Sequence, residues 1–284
     1  MNRSELGPAL RALREASGKE ARTVARSAVM STSKLSKIEN GRAAVSVVDA
    51  DRILTAIGVS EAVKAEYMAA ARAEATEATA WRLYRRLGYH RKQQQIKAMD
   101  DTTTLLRIFQ TSLIPGLLQT PEFARAVFAR KEIGEEQLSR AVGGRLARQA
   151  VLYDPAKELQ FVILESVLRW GLVPPAVMVE QLDRIVSVSR LSGVDVRVMP
   201  LAGFHADVPG HSFAVRDDRT VTVETVHAEL VVTDPRDVDL YVRKFERFSS
   251  AALAGDDMRS LLEGIRDEFL RKQETGLERP PGCP

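Results

Sequence analysis

Residues 21–42, ARTVARSAVMSTSKLSKIENGR, decide the fold of the N-terminal part of the chain. Two short runs of apolar residues at helical spacing are separated by Ser31, a preferred helix N-cap residue. The second run buries Leu35 and Ile38, and Gly41 follows it as a stop signal. The stretch predicts a short helix, a tight turn and a second short helix.

The flanking residues predict three more helices. Ser4 begins one that ends at Gly18, and Ser46 begins another that ends at Gly58, since each pairs a capping residue with a terminal glycine. Ser60 begins the last one, which continues into an alanine-rich run. We therefore expect a helical bundle, residues 1–80, in which the quoted stretch supplies helices two and three.

The third helix has an outward face suited to DNA. A helix, a three- or four-residue turn and a helix form the helix-turn-helix unit, whose second helix enters the major groove. With Leu35 and Ile38 inward, short hydroxyl side chains and two lysines remain outside. Lysine donates to guanine O6 and N7, and the free N–H groups of a helix N-terminus favour phosphate.

Charge is unevenly distributed along the 284 residues. Residues 1–100 carry 18 Lys and Arg against 11 Asp and Glu, whereas residues 101–284 carry 23 against 27. The basic first third favours a polyanionic partner.

The order ALRALREASG, VARSAVM, STSKLSKIENGR resembles the phage-repressor-type (XRE) helix-turn-helix family. The resemblance implies roles for individual residues. It implies base contacts by Thr32, Ser33 and Lys37, phosphate contacts by Asn40 and Arg42, and a structural salt bridge between Arg14 and Glu39. Outside the resemblance, Lys34 on the outer face is a further candidate for base contact, and Ser31 and Arg22 are further candidates for phosphate contact. Two positions depart from the family pattern: Ala21 stands where Gln is usual, and Val29 where Gly is frequent. For Lys34 and Lys37, a role in solubility alone stays open.

Residues 81–99 are expected to form a basic helical connector. WRLYRRLGYHRKQQQIK contains six Lys and Arg and no acidic residue. Arg82, Arg85, Arg86, Arg91 and Lys92 could extend the DNA contact through phosphates. The alternative is a solvated helix that covers an interdomain contact.

Residues 100–272 predict a larger mixed α+β domain. ELQFVILES, VDVRVMPL, HSFAVRD, TVTVETV and ELVVTD read as strands, and their short connections favour a largely antiparallel sheet. Thr120 caps a helix, and a longer helix is expected to be interrupted at Gly143 and Gly144. Residues 273–284 are expected to be a disordered tail.

This second domain resembles the C-terminal domain of actinobacterial WhiJ-like and antitoxin-like regulators. The resemblance is carried by IPGLLQTPEFARAVF, VLRWGLVPPAVMVEQLDRIV, VDVRVMPL and GHSFAV. It implies a transcriptional regulator that pairs with a small partner protein encoded nearby or responds to a small-molecule effector.

No catalytic residue, metal ligand or cofactor is predicted. His205, Asp207 and His211 lie close together in FHADVPGH, but no HExxH or similar helical metal spacing is present. A loop whose polar residues satisfy backbone groups is the favoured interpretation. Glu165 and Arg169, near Trp170, could line a cleft or form a structural ion pair.

The single cysteine, Cys283, permits no disulfide within the chain, which points to the cytoplasm. No apolar stretch reaches the ~18 residues that a membrane span needs.

The leading hypothesis is therefore a sequence-specific regulator that binds double-stranded DNA at an inverted-repeat operator as a homodimer. Two alternatives stay open: an antitoxin-like module that holds a small protein and autoregulates its operon, and a small-molecule-binding regulator with a vestigial enzyme-like pocket.

Overall fold

The computed structural model describes residues 3–43, 45–80, 88–203, 207–226 and 228–274. The chain divides into two compact units. The first comprises Met1–Ala78 with Leu230–Asp239, and the second comprises Thr79–Glu229 with Leu240–Pro284. None of the helices within the described ranges is long and apolar enough to cross a membrane.

The first unit begins with the five predicted helices. They are α1 (Arg3–Ala16), α2 (Ala21–Ser27), α3 (Thr32–Glu39), α4 (Val47–Ile57) and α5 (Glu61–Ala75). Strand β1 (Thr76–Ala80) follows them and contains a unit boundary. The Ser31 and Ser46 hydroxyls accept hydrogen bonds from the backbone N–H groups of Lys34 and Asp49, as expected of N-caps. Leu10, Leu35 and Ile53 are fully buried in the shared core.

The turn between α2 and α3 is a Schellman motif built on an unfavourable residue. Met30 N–H donates to Ala25 O at 3.0 Å and Val29 N–H to Arg26 O at 3.2 Å, which is the bonding pattern of that motif. Val29 consequently adopts φ 54°. A β-branched residue is strained in this left-handed region, where glycine is usual.

The second unit carries the remaining elements. Its helices and strands are α6 (Tyr89–Thr102), β2 (Leu105–Gln110), α7 (Pro121–Ala129), α8 (Glu135–Arg148), β3 (Glu158–Leu164), α9 (Glu165–Arg169), α10 (Pro175–Val188), β4 (Val194–Met199), β5 (Phe213–Arg216), β6 (Thr220–Glu224) and α12 (Gly255–Glu274). Strand β7 (Ala228–Val232) and helix α11 (Pro235–Ala251) contain the unit boundaries. Short 3₁₀ turns occupy Gly116–Leu118 and Gln149–Tyr153. The α+β class is confirmed.

The sheet is mixed, as predicted, and part of it is parallel. The five strands that lie wholly within the second unit are ordered β6-β5-β2-β3-β4. The β2–β3 and β3–β4 pairs are parallel, and the β2–β5 and β5–β6 pairs are antiparallel. The parallel pairs were not predicted from the sequence. These strands are joined through α7, α8 and α10, which serve as the crossover connections that parallel neighbours require. Apolar residues of α10 and α12 pack in the main core, and on β2 Phe109 stacks on Phe248 with ring centroids 4.3 Å apart.

Helix α8 is continuous through Gly143 and Gly144, so the predicted interruption is wrong. Tertiary packing explains why glycine is present: a Cβ at Gly144 would lie 3.0 Å from the Gln93 Cβ of α6. The absent side chain lets the two helices approach closely, and this packing offsets the low helix propensity of glycine.

Residues 89–99, expected within a connector, lie in the second unit as part of α6. Lys92 is buried and forms an ion pair with Glu229, so it is not on the surface where it could meet phosphate. Residues 81–87 lie outside the described residues, as do residues 275–284 of the expected tail. Residues 273 and 274 end α12.

A buried ionic cluster joins three elements of the second unit. The Asp100 carboxylate of α6 accepts hydrogen bonds from Arg148, at the end of α8, and from Arg216 of β5, each with a shortest N···O distance of 3.0 Å. The Asp100 side chain is only 1% exposed. Arg148 also donates to Gln93 and Arg216 to Thr222, so most of the buried donors are satisfied.

Replacing Asp100 with Asn should destabilise the protein by about 3–5 kcal/mol, because two buried arginines would lose their shared anion. The matched control is Asp101→Asn, which removes an exposed carboxylate that pairs with Lys97 and should destabilise the protein by no more than about 1 kcal/mol. Urea unfolding measures both. Equal stability of the two variants would contradict the structural role of Asp100.

Replacing Val29 with Gly should stabilise the first unit by about 1 kcal/mol, because glycine relieves the strain at positive φ. Val29 is 77% exposed, so little packing is lost. Val29→Ala is the control: it removes the branch but keeps Cβ, and it should recover only part of the gain. A lower thermal midpoint for Val29→Gly than for the parent would contradict strain at this turn.

Candidate nucleic-acid interface

Helix α3 is fixed against α1 by close backbone packing. Leu35 and Ile38 are fully buried, and a Cβ at Gly7 would lie 2.2 Å from the Ile38 carbonyl oxygen. Only glycine therefore permits this crossing of α1 and α3. Gly41, at φ 67°, ends α3 with the same Schellman pattern that Val29 adopts after α2.

A bidentate ion pair also ties the two helices together. Arg14 Nε and Nη2 donate to the two carboxylate oxygens of Glu39 at 2.7 and 3.0 Å. Glu39 is buried, and its hydrogen bond raises the pKa of Arg14. Fork-to-fork pairs of this kind fix orientation as well as supplying energy, so the pair sets the angle at which α3 is presented.

The outward face of α3 carries the residues assigned to base contact. Thr32, Ser33, Lys34 and Lys37 are all exposed. Lys34 also donates to Asp49 of α4 at 2.7 Å, so it would have to leave or share this ion pair to contact a base. Among the described residues, no carboxylate pairs with Lys37. Lys37 is therefore the better available donor of the two.

The residues assigned to phosphate contact have different local roles. The Ser31 hydroxyl accepts from Lys34 N–H at 3.1 Å as the N-cap. Asn40 donates to Ser36 O at 2.7 Å and accepts from Arg11 at 3.3 Å. Arg22 and Arg42 are exposed and form no ion pair with a described carboxylate.

Arg26 joins this set of unpaired cations, although the sequence analysis did not select it. It lies in the last turn of α2, is exposed, and has no ion-pair partner within the described part of the chain. The sequence signal that could have identified Arg26 was its position close to the turn between α2 and α3. Together, Arg22, Arg26, Lys37 and Arg42 give α2, α3 and the segment after α3 uncompensated positive charge. Arg82, Arg85 and Arg86, proposed as extra backbone contacts, lie outside the described residues.

The histidine-containing loop of the second unit shows no metal-binding cluster among its described residues. Asp207 accepts a hydrogen bond from Lys244 at 2.8 Å, which lowers the pKa of Asp207. His211 Nε2 lies 3.1 Å from the Tyr241 hydroxyl oxygen. His205 lies outside the described residues. Asp207 and His211 therefore each contact a different partner on α11.

Glu165 and Arg169 form an ion pair of 2.6 Å on α9. Arg169 also contacts Glu268 at 2.5 Å, and Glu165 accepts from the Leu201 backbone N–H at 2.7 Å. The nearby Trp170 is 68% exposed. These contacts favour the structural ion pair over a cleft-lining role.

Two family models match the chain. One, described as a helix-turn-helix domain, covers residues 5–67, and the other, described as a domain of unknown function (DUF5753), covers residues 93–264. The first match agrees with the geometry of α2, the turn and α3. No curated protein matches the chain.

Two solved structures are distantly similar. NucT from Helicobacter pylori is 11% identical, with 63% of this chain and 98% of that chain covered and a TM-score of 0.34. TrmBL2, an archaeal chromatin protein whose structure is said to show a novel mode of DNA binding, is 13% identical, with 63% and 53% covered and a TM-score of 0.31. This chain thus spans about half the length of TrmBL2. The DUF5753 match covers more than half of this chain, and the protein accordingly belongs to the DUF5753 family and carries an N-terminal helix-turn-helix domain.

Proposed function

We propose that this protein is a sequence-specific, DNA-binding transcriptional regulator of the XRE type. Helix α3 lies in the major groove, where Thr32, Ser33 and Lys37 read base edges. Arg22 and Arg42 contact the phosphates on either side. No catalytic activity is assigned to the chain.

The observation that carries the proposal is the exposed, uncompensated face of α2 and α3. Short hydroxyl side chains at Thr32 and Ser33 let the α3 backbone approach base edges, and Lys37 beside them is free to donate. Unpaired arginines near the same helices supply the sequence-independent attraction to the backbone. A purely structural helical bundle would not require cations to remain unpaired there.

The second unit is proposed to control this DNA binding. Its sequence resembles WhiJ-like and antitoxin-like actinobacterial regulators, which favours a signal-receiving or partner-holding role over catalysis. The described contacts of Asp207, His211, Glu165 and Arg169 favour structural roles for these four residues.

Two variants separate base reading from phosphate binding. Lys37→Ala should weaken binding selectively, by about 1–3 kcal/mol, because the contact to one base position is lost. Arg42→Ala should instead weaken binding to all duplexes alike and reduce the slope of log K against log salt concentration by about 1. Fluorescence anisotropy with operator and scrambled duplexes at several salt concentrations makes the distinction.

Lys64→Ala is the matched control, since Lys64 lies on α5 and pairs with Asp51 at 2.9 Å. It should bind DNA like the parent protein. The operator itself is identified first by selecting genomic fragments on the purified protein. If both Lys37→Ala and Arg42→Ala bound DNA with the affinity of the parent, the proposed placement of α3 in the major groove would be wrong.

A homodimer is proposed because one helix-turn-helix reads only a few base pairs. Two copies would read half-sites about 34 Å apart, one helical turn, in an inverted repeat. Size-exclusion chromatography with light scattering should give the mass of the duplex plus two chains when the protein is bound to operator DNA. A monomer both free and on DNA would contradict this arrangement.

A further inference from the structure

The second unit contains a cavity of about 450 Å³. Its walls come from α6, the loop after β2, α8 and strand β5. This volume lies within the range of sites that hold small organic molecules, roughly 300–1,000 Å³. Tyr89, Ile96, Ile108 and Phe213 contribute apolar surface, so the cavity suits a ligand with an apolar body.

The cavity wall is strongly basic. Five basic side chains line it against two carboxylates, which belong to Glu224 and Glu229. Lys92 is neutralised by Glu229, and Asp100 neutralises one charge of the Arg148 and Arg216 pair from behind the wall. These ion pairs leave the wall with a net positive charge even when Asp100 is included. A buried positive excess of this kind is costly unless an anion compensates it.

Arg145 is a half-buried cation of the cavity wall that has few partners among the described residues. Its Nη1 donates to Gln119 Oε1 at 2.6 Å, and its guanidinium carbon lies 4.1 Å from the centroid of the Phe128 ring. Nε is completely buried and has no hydrogen-bond partner, and Nη2 donates to no described residue. Burial, together with repulsion from Arg148, lowers the pKa of Arg145 to about 9, so the group is still charged at neutral pH.

The two unpaired donors lie on the same edge of the guanidinium. Nε and Nη2 form one of the planar forks that bind a carboxylate or a phosphate in bidentate fashion. A Cβ at position 116 would lie 3.3 Å from Nε, so Gly116 lies close against this edge of the guanidinium. Buried donors are almost always satisfied in native proteins, so an edge left without acceptors is a sign of a missing partner.

We propose that this cavity binds a small organic anion whose carboxylate or phosphate group accepts hydrogen bonds from the Nε–Nη2 edge of Arg145. The apolar body of the ligand packs against the cavity wall formed by Tyr89, Ile96 and Ile108. The site is built entirely from the second unit and requires no DNA. The proposed anion site and the proposed DNA interface can therefore be tested, and contradicted, independently of each other.

Calorimetric titration of the full-length protein tests the site. The probes are phenylacetate, citrate, phenyl phosphate and inorganic phosphate, with phenylacetamide as the uncharged counterpart of phenylacetate. At least one organic anion should bind, and phenylacetamide should not. The carboxylates and the phosphate ester distinguish the two anionic groups. Stronger binding of phenyl phosphate than of inorganic phosphate would support a contribution from the apolar wall.

Variants of Arg145 assign the binding to the guanidinium. Arg145→Gln should weaken anion binding about 10- to 100-fold, the usual worth of a charge-assisted hydrogen bond, and Arg145→Lys should recover only part of it because the fork is lost. Arg140→Gln is the matched control: Arg140 lies on the same helix, is exposed and pairs with Glu136 at 2.6 Å. It should bind like the parent.

Gly116→Ala provides a second route if Arg145→Gln does not fold, since its added Cβ crowds Nε and should weaken binding without removing the charge. Three outcomes would overturn the proposal. They are equal affinity for phenylacetate and phenylacetamide, parent-like anion affinity in every folded variant of Arg145 and Gly116, and no binding of any organic anion at about 10 mM, where even a millimolar Kd is visible.

Discussion

The buried carboxylate of Asp100 holds the second unit together. One side chain accepts hydrogen bonds from arginines on two other elements, and it is itself almost completely excluded from water. Two arginines on one anion leave a positive excess in the low-dielectric interior, where charge interactions are strong. The same interaction that aligns α6, α8 and β5 therefore also gives the adjoining cavity its basic wall.

The first unit depends on a different constraint, the close approach of α1 and α3. Gly7 permits the contact, and the Arg14–Glu39 pair fixes its angle. The turn before α3 is held in the same rigid manner by two Schellman hydrogen bonds, even though valine occupies the left-handed position. A helix presented this firmly loses little conformational entropy on binding, which suits the groove-binding role proposed for α3.

Much of the first unit follows from local rules. Caps at Ser31 and Ser46, glycines after the helices and apolar residues three or four apart all act within a few residues, so a sequence pattern suffices. Strands β3 to β7 were also recognisable from their composition, whereas β2 was not among the predicted strands. The pairing of the strands was not recognisable, because whether neighbours run parallel depends on crossover helices that return the chain to the same sheet edge.

The candidate DNA-binding residues other than Arg26 were selected from the sequence, but whether their side chains are available was not predictable from it. Whether Lys34 pairs with Asp49, and whether Lys37 remains unpaired, depends on how α3 and α4 pack. Lys92 and Arg145 illustrate the same limit more strongly. In the sequence they look like ordinary surface cations, yet packing buries one in an ion pair with Glu229 and places the other on the cavity wall.

The sequence by itself determined the helix-turn-helix unit and the α+β class, since both arise from short-range periodicity, capping and turn chemistry. Only the tertiary structure decided the parallel half of the sheet, the continuity of α8 through Gly143 and Gly144, and the convergence of Arg145, Arg148 and Arg216 around one cavity. These features join residues far apart in the chain. Their energies come from burial and from charges brought together by folding, which no local pattern encodes.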